Sequence, residues 1–284
     1  MLLSILLQGK NDKYGCDVNG RGGVDQRLKI SLNKLCDNLH RLNNPKIEVI
    51  LCDWGSDTKI VDSILENRHI NFKCVYVPQN IGKKYSKQSD YSIAHAYNVS
   101  FQRSSGEYVI FWDSDCFITY ENFARLVDFT QNLSIQNNHD TFFWGSRYHL
   151  PRPSYNDAQS FLDTDQFISN NNLSSFRHDK INITNFDGRA MSLLMSRKIG
   201  QDSTCWWEEL PYWGWQDIEL HIRLSQKYKF GGDLEDNQIM FFHLDHHDAG
   251  KDYRSIMNPY GIMPQFFNAN DNFWGLMNEN LEFV

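Results

Sequence analysis

The sequence has no run of lysine and arginine, no Cys-x-x-Cys pair and no apolar stretch of bilayer-spanning length. The first absence, with a formal net charge of -7 over 284 residues, removes the basic footprint that a nucleic-acid surface needs, so no nucleic-acid partner is expected. The second bears on six cysteines, Cys16, Cys36, Cys52, Cys74, Cys116 and Cys205. Several lie inside apolar runs, and their scatter argues for reduced core thiols of a cytoplasmic protein rather than a zinc site or a disulfide framework. The third leaves the N-terminal segment Leu2 to Leu7 too short for a signal core or a transmembrane segment, so it reads as a first buried strand.

What is present is a strand and helix alternation with 41% hydrophobic and 14% aromatic residues, enough for one compact unit. Leucines 28, 32, 35, 39 and 42 recur at spacings of three and four and predict a helix over 25–42. Strands are expected at 47–52, 72–77, 106–112 and 141–149, with helices at 58–67 and 121–133 and a helix holding Asn98. The run from Gly106 to Trp112 ends on Asp113-Ser114-Asp115, two carboxylates one residue apart. On an extended chain such residues point to one side, toward an object such as a divalent cation carrying a phosphate; an ordinary Asp-Ser-Asp turn is the other reading.

Five short motifs stand in order: Asp53-Trp54-Gly55-Ser56, Asn80-Ile81-Gly82, Tyr97-Asn98, Gly106-Glu107-Tyr108 and Asp113-Ser114-Asp115. Together they resemble the nucleotide-binding half of family-2 glycosyltransferases of the GT-A fold. The resemblance implies an α/β, Rossmann-like, mainly parallel sheet flanked by helices, as one catalytic domain over 1–284. Residues 1–118 would bind the nucleotide sugar, and 119–284 would form the acceptor half and a C-terminal tail. It assigns Gln8, Asp53, Asn80, Asp113 and Ser114 to the nucleotide sugar, the other reading of Asp53 being the cap of the turn before Gly55.

A second stretch, Tyr212-Trp213-Gly214-Trp215-Gln216-Asp217, precedes a helix marked by Leu220, Leu224 and Tyr228. Asp217 then falls in a first helical turn, where the helix dipole favours the ionised carboxylate. The indoles suit either a sugar ring or the core. This stretch resembles the Trp-Gly-Glu-Asp signature of β-1,4-galactosyltransferases, polypeptide N-acetylgalactosaminyltransferases and chondroitin-type polymerases, with Gln216 in place of the family's Glu. The resemblance makes Asp217 the catalytic base, places Trp215 on the nucleotide sugar, and gives Trp213, Gln216 and Glu219 to the acceptor.

The strand from Ile239 to Phe242 ends on His243-Leu244-Asp245-His246-His247. Imidazoles ligate manganese-like ions, and the resemblance implies Mn2+ (or Mg2+) held by Asp115 and His243, with Asp113 alongside and His246 the alternative histidine. The implied activity is transfer of a hexose or N-acetylhexosamine from a UDP-sugar to a hydroxyl of a glycan or other acceptor, with inversion. Two rival readings are a manganese-dependent phosphoesterase of the Asp-His-His type, suggested by Asp245-His246-His247, and a non-catalytic sugar-binding module on the same fold.

Overall fold

Apolar on both faces, the run Leu3–Gly9 forms β1 and lies inside the sheet that it organises. It pairs in parallel with β2 (Ile47–Trp54) on one side and β4 (Tyr108–Trp112) on the other, and β2 pairs in parallel with β3 (Phe72–Val77). Strands covered by helices on both faces carry continuous rather than alternating apolar runs, which is why these were legible. The structure, a computed structural model, describes residues 1–12, 23–87, 89–150, 164–181, 192–210, 212, 214–246, 270 and 272–284.

Four further strands widen the sheet to eight: β6 (Thr141–Gly145), β9 (Ser192–Ser196), β10 (Lys229–Asp233) and β12 (Glu282–Phe283). The order is β10-β6-β9-β4-β1-β2-β3-β12, with β9 and β12 antiparallel to their neighbours. A leucine-striped α1 (Val24–Leu42) packs with α5 (Tyr120–Ile135) on one face. The other face is covered by α3 (Gln79–Ser86), α4 (Ile93–Gln102), α7 (Arg197–Ser203) and α8 (Gln216–Ser225). This is the expected α/β, mainly parallel architecture. Among the described residues no helix is long and apolar enough to cross a membrane.

Several elements differ from the sequence reading, each for a local reason. The helix expected over 58–67 is only α2 (Ile60–Ser63), because the Asn33 amide donates to the Ile64 carbonyl at 3.0 Å and its oxygen accepts from the Glu66 N–H at 3.0 Å. Those side-chain bonds replace the helical ones. Asn80 lies in α3. The single strand expected over 141–149 breaks at Ser146, whose N–H donates to Asp233 at 3.0 Å and whose hydroxyl bonds the same carboxylate. A Cβ on Gly145, just before the break, would stand 2.8 Å from the Phe241 ring.

Beyond that break the chain enters a second, four-stranded sheet ordered β5-β11-β7-β8. Its strands are β5 (Cys116–Phe117), β7 (Arg147–Leu150), β8 (Arg177–Asp179) and β11 (Phe241–Leu244). His243 therefore sits within β11, with Leu244 ending the strand, instead of being its terminal residue. A short α6 (Thr164–Asn170) precedes β8.

Candidate active site

The turn after β4 is tied down by its own strand. The Cys116 N–H donates to the Asp113 carbonyl at 2.9 Å, and the Trp112 indole donates to the Cys116 carbonyl at 3.0 Å. Because β4 ends at Trp112, Asp113 and Asp115 sit in a turn rather than on an extended chain, and their carboxylates face different layers. Asp113 accepts from the Tyr97 hydroxyl of α4 at 2.6 Å and also bonds the side chain of Gln8 at the end of β1. Asp115 faces Arg27 of α1, whose Nε is 3.5 Å from its Oδ2, and Ser114 is buried between the two aspartates.

The small sheet brings the histidines to Asp115. In the register of β11 and β5, His243 stands opposite Cys116, the residue after Asp115, and in that of β11 and β7 it stands opposite His149. Nε2 of His243 and Nε2 of His246 each lie 3.6 Å from Asp115 Oδ2, and the ligand atoms of the three residues fall within 4.8 Å of one another. One carboxylate oxygen and two imidazole nitrogens so disposed fit a manganese-like ion. Asp113 stands outside this group, and the structure brings both His243 and His246 to it rather than choosing between them. His247 lies outside the described residues.

Burial pushes the His243 imidazole below its usual range, which keeps the ring neutral with a lone pair to donate. Asp115 pays the same burial penalty but is held well below the usual carboxylate range by His243, Arg27 and His246. Asp113 is pushed up, by burial first and then by the charge of Asp115, against the opposing bond from Tyr97.

Asp217 opens α8 beside this pair, half-buried, with Asp113 and Arg147 as its charged neighbours. Its carboxyl is pushed up to about 8 by burial and then by Asp113. The helix dipole expected to keep it ionised is thus outweighed, and the result is a stronger base. Trp215 caps the helix at φ 72°, a left-handed conformation that a bulky residue rarely adopts.

The residues that the signature assigns to the acceptor turn inward. The Gln216 amide is buried and donates to the Tyr212 carbonyl. Glu219, also buried, accepts from Arg223 Nε at 2.6 Å and Nη2 at 2.9 Å, and that guanidinium continues to the Cys205 carbonyl at 2.6 Å. Their contacts hold α8 to the segment before it. Trp213 lies outside the described residues.

Along the same rim, at the ends of β2 and β3, a cavity of about 540 Å³ is lined by Ser56, Asp57, Tyr76, Gln79, Asn80 and Lys83. A second, of about 230 Å³, shares Asp57, Gln79 and Lys83 and reaches Lys10, Gly55 and Asp90. Asp53 lies beneath the first with no exposed surface; its oxygens accept from the Ser56 hydroxyl and, at 2.8 Å, from the Ile60 N–H. It holds the turn, while Asn80 meets the cavity. Lys84 and Lys87 are paired with Glu279 and Glu209, which leaves Lys83 as the lysine of that segment on the cavity wall.

Arg27, Arg147, His149 and Asp179 were missed in the sequence, and Tyr97 stood there only as part of a motif, without a role. His149 had a visible signal: Tyr148-His149-Leu150 and Phe242-His243-Leu244 repeat the pattern aromatic-His-Leu, and the two triplets pair in register. Arg27 was hidden beside the leucine stripe of α1, where its own full burial gives no periodic mark.

The model of the family described as "Glycosyltransferase like family 2" matches residues 31–237, which takes in Asp53, Asp113, Asp115 and Asp217 and stops before His243. No curated protein sequence matches the chain. Among solved structures, it is similar to GalNAc-T7 crystallised with UDP, GalNAc and Mn2+, at TM-score 0.52 and 10% identity over 89% of this chain and 46% of that one. It is similar also to S. aureus TarS 1-349, at TM-score 0.47 and 14% identity over 86% of this chain and 60% of that one. The chain thus spans less than two thirds of either protein, and identities this low speak to the fold alone. The family match covers well over half of the sequence, so the chain belongs to the glycosyltransferase-like family 2.

Proposed function

We propose that this protein transfers a hexose or N-acetylhexosamine from a UDP-sugar to a hydroxyl of a glycan or another acceptor, with inversion and with a divalent metal. The observation that carries this reading is the convergence, at the end of β4, of Asp115 with two histidines and of Asp113 with a base-like Asp217. GalNAc-T7, similar in fold, was crystallised with UDP, GalNAc and Mn2+, which supports the choice of donor and ion.

Asp115, His243 and His246 would hold the metal, which supplies Lewis-acid neutralisation of the departing diphosphate. The chain's own groups do the rest. Lys83, Asn80 and Lys10 on the cavity walls bind the nucleotide and its phosphates. Asp113, oriented by Tyr97 and Gln8, receives ribose hydroxyls or an ordered water. Asp217 takes the proton of the acceptor hydroxyl as that oxygen attacks the anomeric carbon from the face opposite the leaving group.

Incubation with UDP-, GDP- and CMP-sugars, with Mn2+ or with EDTA, tests the proposal. Slow, manganese-dependent release of UDP from one donor supports it. Release of inorganic phosphate from phosphoesters supports an Asp-His-His phosphoesterase instead, and silence with retained UDP binding supports a binding module.

A further inference from the structure

The described residues hold a second group of metal-ligating side chains, on the far side of the His243 ring from Asp115. His149 Nδ1 lies 3.2 Å from His243 Nδ1 and 3.1 Å from Asp245 Oδ1, and the third edge, His243 Nδ1 to Asp245 Oδ1, is 3.8 Å. Tetrahedral ligands at zinc-nitrogen distance from one ion stand about 3.3 Å apart, so these three atoms already have the right separations. Both rings are buried, while Asp245 is 33% exposed and leaves an entrance.

The outer nitrogens are backed as those of metal-bound histidines usually are. His149 Nε2 is 2.8 Å from Asp179 Oδ2, a carboxylate itself held by Arg147 at 3.1 Å and Arg177 at 3.2 Å. A carboxylate behind the ring fixes the tautomer and turns the lone pair to Nδ1. For His243, the carboxylate behind Nε2 is Asp115.

We infer that His149, His243 and Asp245 form a zinc seat that competes with the Asp115 corner for the single lone pair of His243. A neutral imidazole has one lone pair, so it serves one ion at a time. Zinc bound through Nδ1 leaves a proton on Nε2 facing Asp115 and withdraws His243 from the other corner. The shorter edges of the inner group suit the smaller tetrahedral ion, and imidazole ligands rank zinc above manganese. The competition rests on the reading of the Asp115 corner given above; the seat itself does not.

The experiment measures zinc affinity by calorimetry, the visible spectrum of the Co2+ form and Mn2+ binding with UDP by electron paramagnetic resonance. It compares the unmodified chain with His149→Gln and Asp245→Ala. The unmodified chain should bind one Zn2+, show the intense bands of tetrahedral Co2+ and release Mn2+ as zinc is added. Each variant should lose at least about tenfold in zinc affinity and keep its Mn2+ binding. Asp245→Ala, at a half-exposed position, serves if His149→Gln does not fold. Zinc affinity unchanged in both variants overturns the seat, as does an equal fall in Zn2+ and Mn2+ affinity, which would make these residues mere supports of His243. Zinc binding that depends on His149 in a chain that binds no Mn2+ with UDP upholds the seat and removes the Asp115 corner.

Discussion

The Tyr97 hydroxyl donates to Asp113 at 2.6 Å, and this bond divides the labour of the two aspartates after β4. It draws Asp113 toward the layer of α4 and leaves Asp115 to the histidines and Arg27. In Tyr97→Phe, Asp113 loses a donor in a buried setting, which should cost about 1–3 kcal/mol of stability. Thermal unfolding at neutral pH checks it, and an unchanged midpoint would mean that water or Gln8 replaces the phenol.

Asp217→Asn keeps the shape and removes the base, so turnover should fall by about a hundredfold or more while UDP affinity stays put. Near-native turnover would place the base elsewhere.

The raised carboxyl of Asp217 also sets a pH dependence. Only the ionised form accepts a proton, so kcat/KM should climb with pH toward a limb near 8. For stability the sign is opposite. A carboxyl raised in the fold favours folding when protonated, a contribution fully present below its unfolded value of about 4 and lost as pH rises through about 8. Asp217→Asn should therefore melt higher than the unmodified chain above pH 8, with the gap closing in acid. A rate limb in the ordinary carboxylate range would contradict both.

Manganese titrations with UDP present separate the two histidines at Asp115. His243 is buried within a strand and loses little freedom on ligation, whereas His246 lies beyond the strand end. His243→Ala should weaken the ion most, and a larger loss in His246→Ala would reverse the assignment.

Glu219→Gln breaks the paired bond to Arg223 and leaves a buried guanidinium short of its counter-charge. A loss of about 3–5 kcal/mol in unfolding free energy is expected, larger than any change in acceptor KM. A stable variant with a raised acceptor KM would return Glu219 to the acceptor site.

The centre of the large sheet was legible because β1, β2, β3 and β4 are largely apolar runs that end on polar turns, whereas β9, β10 and β12 were not read. The small sheet was not. β5, β7 and β8 are two to four residues long, too short for a periodic signal, and β7 is continuous in sequence with a strand of the other sheet. Asp115, His243 and Asp217 stood out as candidates because each follows an apolar run or opens a helix. His149 and Asp179 gain their meaning only from strand register, which no local pattern encodes. The burial of Gln216 and Glu219 was not legible, because the signature gives spacing along the helix but not which way its first turn is rotated.

The strand that changes sheets at Ser146 has a consequence for how the molecule assembles. β5, β7, β8 and β11 come from four separated parts of the chain, and the two facing histidines are 94 positions apart. Contacts of such sequence separation carry the largest loop-closure cost and lower the folding rate. The eight-stranded sheet can draw on neighbouring β1, β2 and β3 early, whereas the histidine plate requires the last described strand before the tail to dock beside β7. On a ribosome, a nascent chain lacking residues beyond 237 could bury most of its core and still have no place to hold an ion, so metal loading would report completed folding.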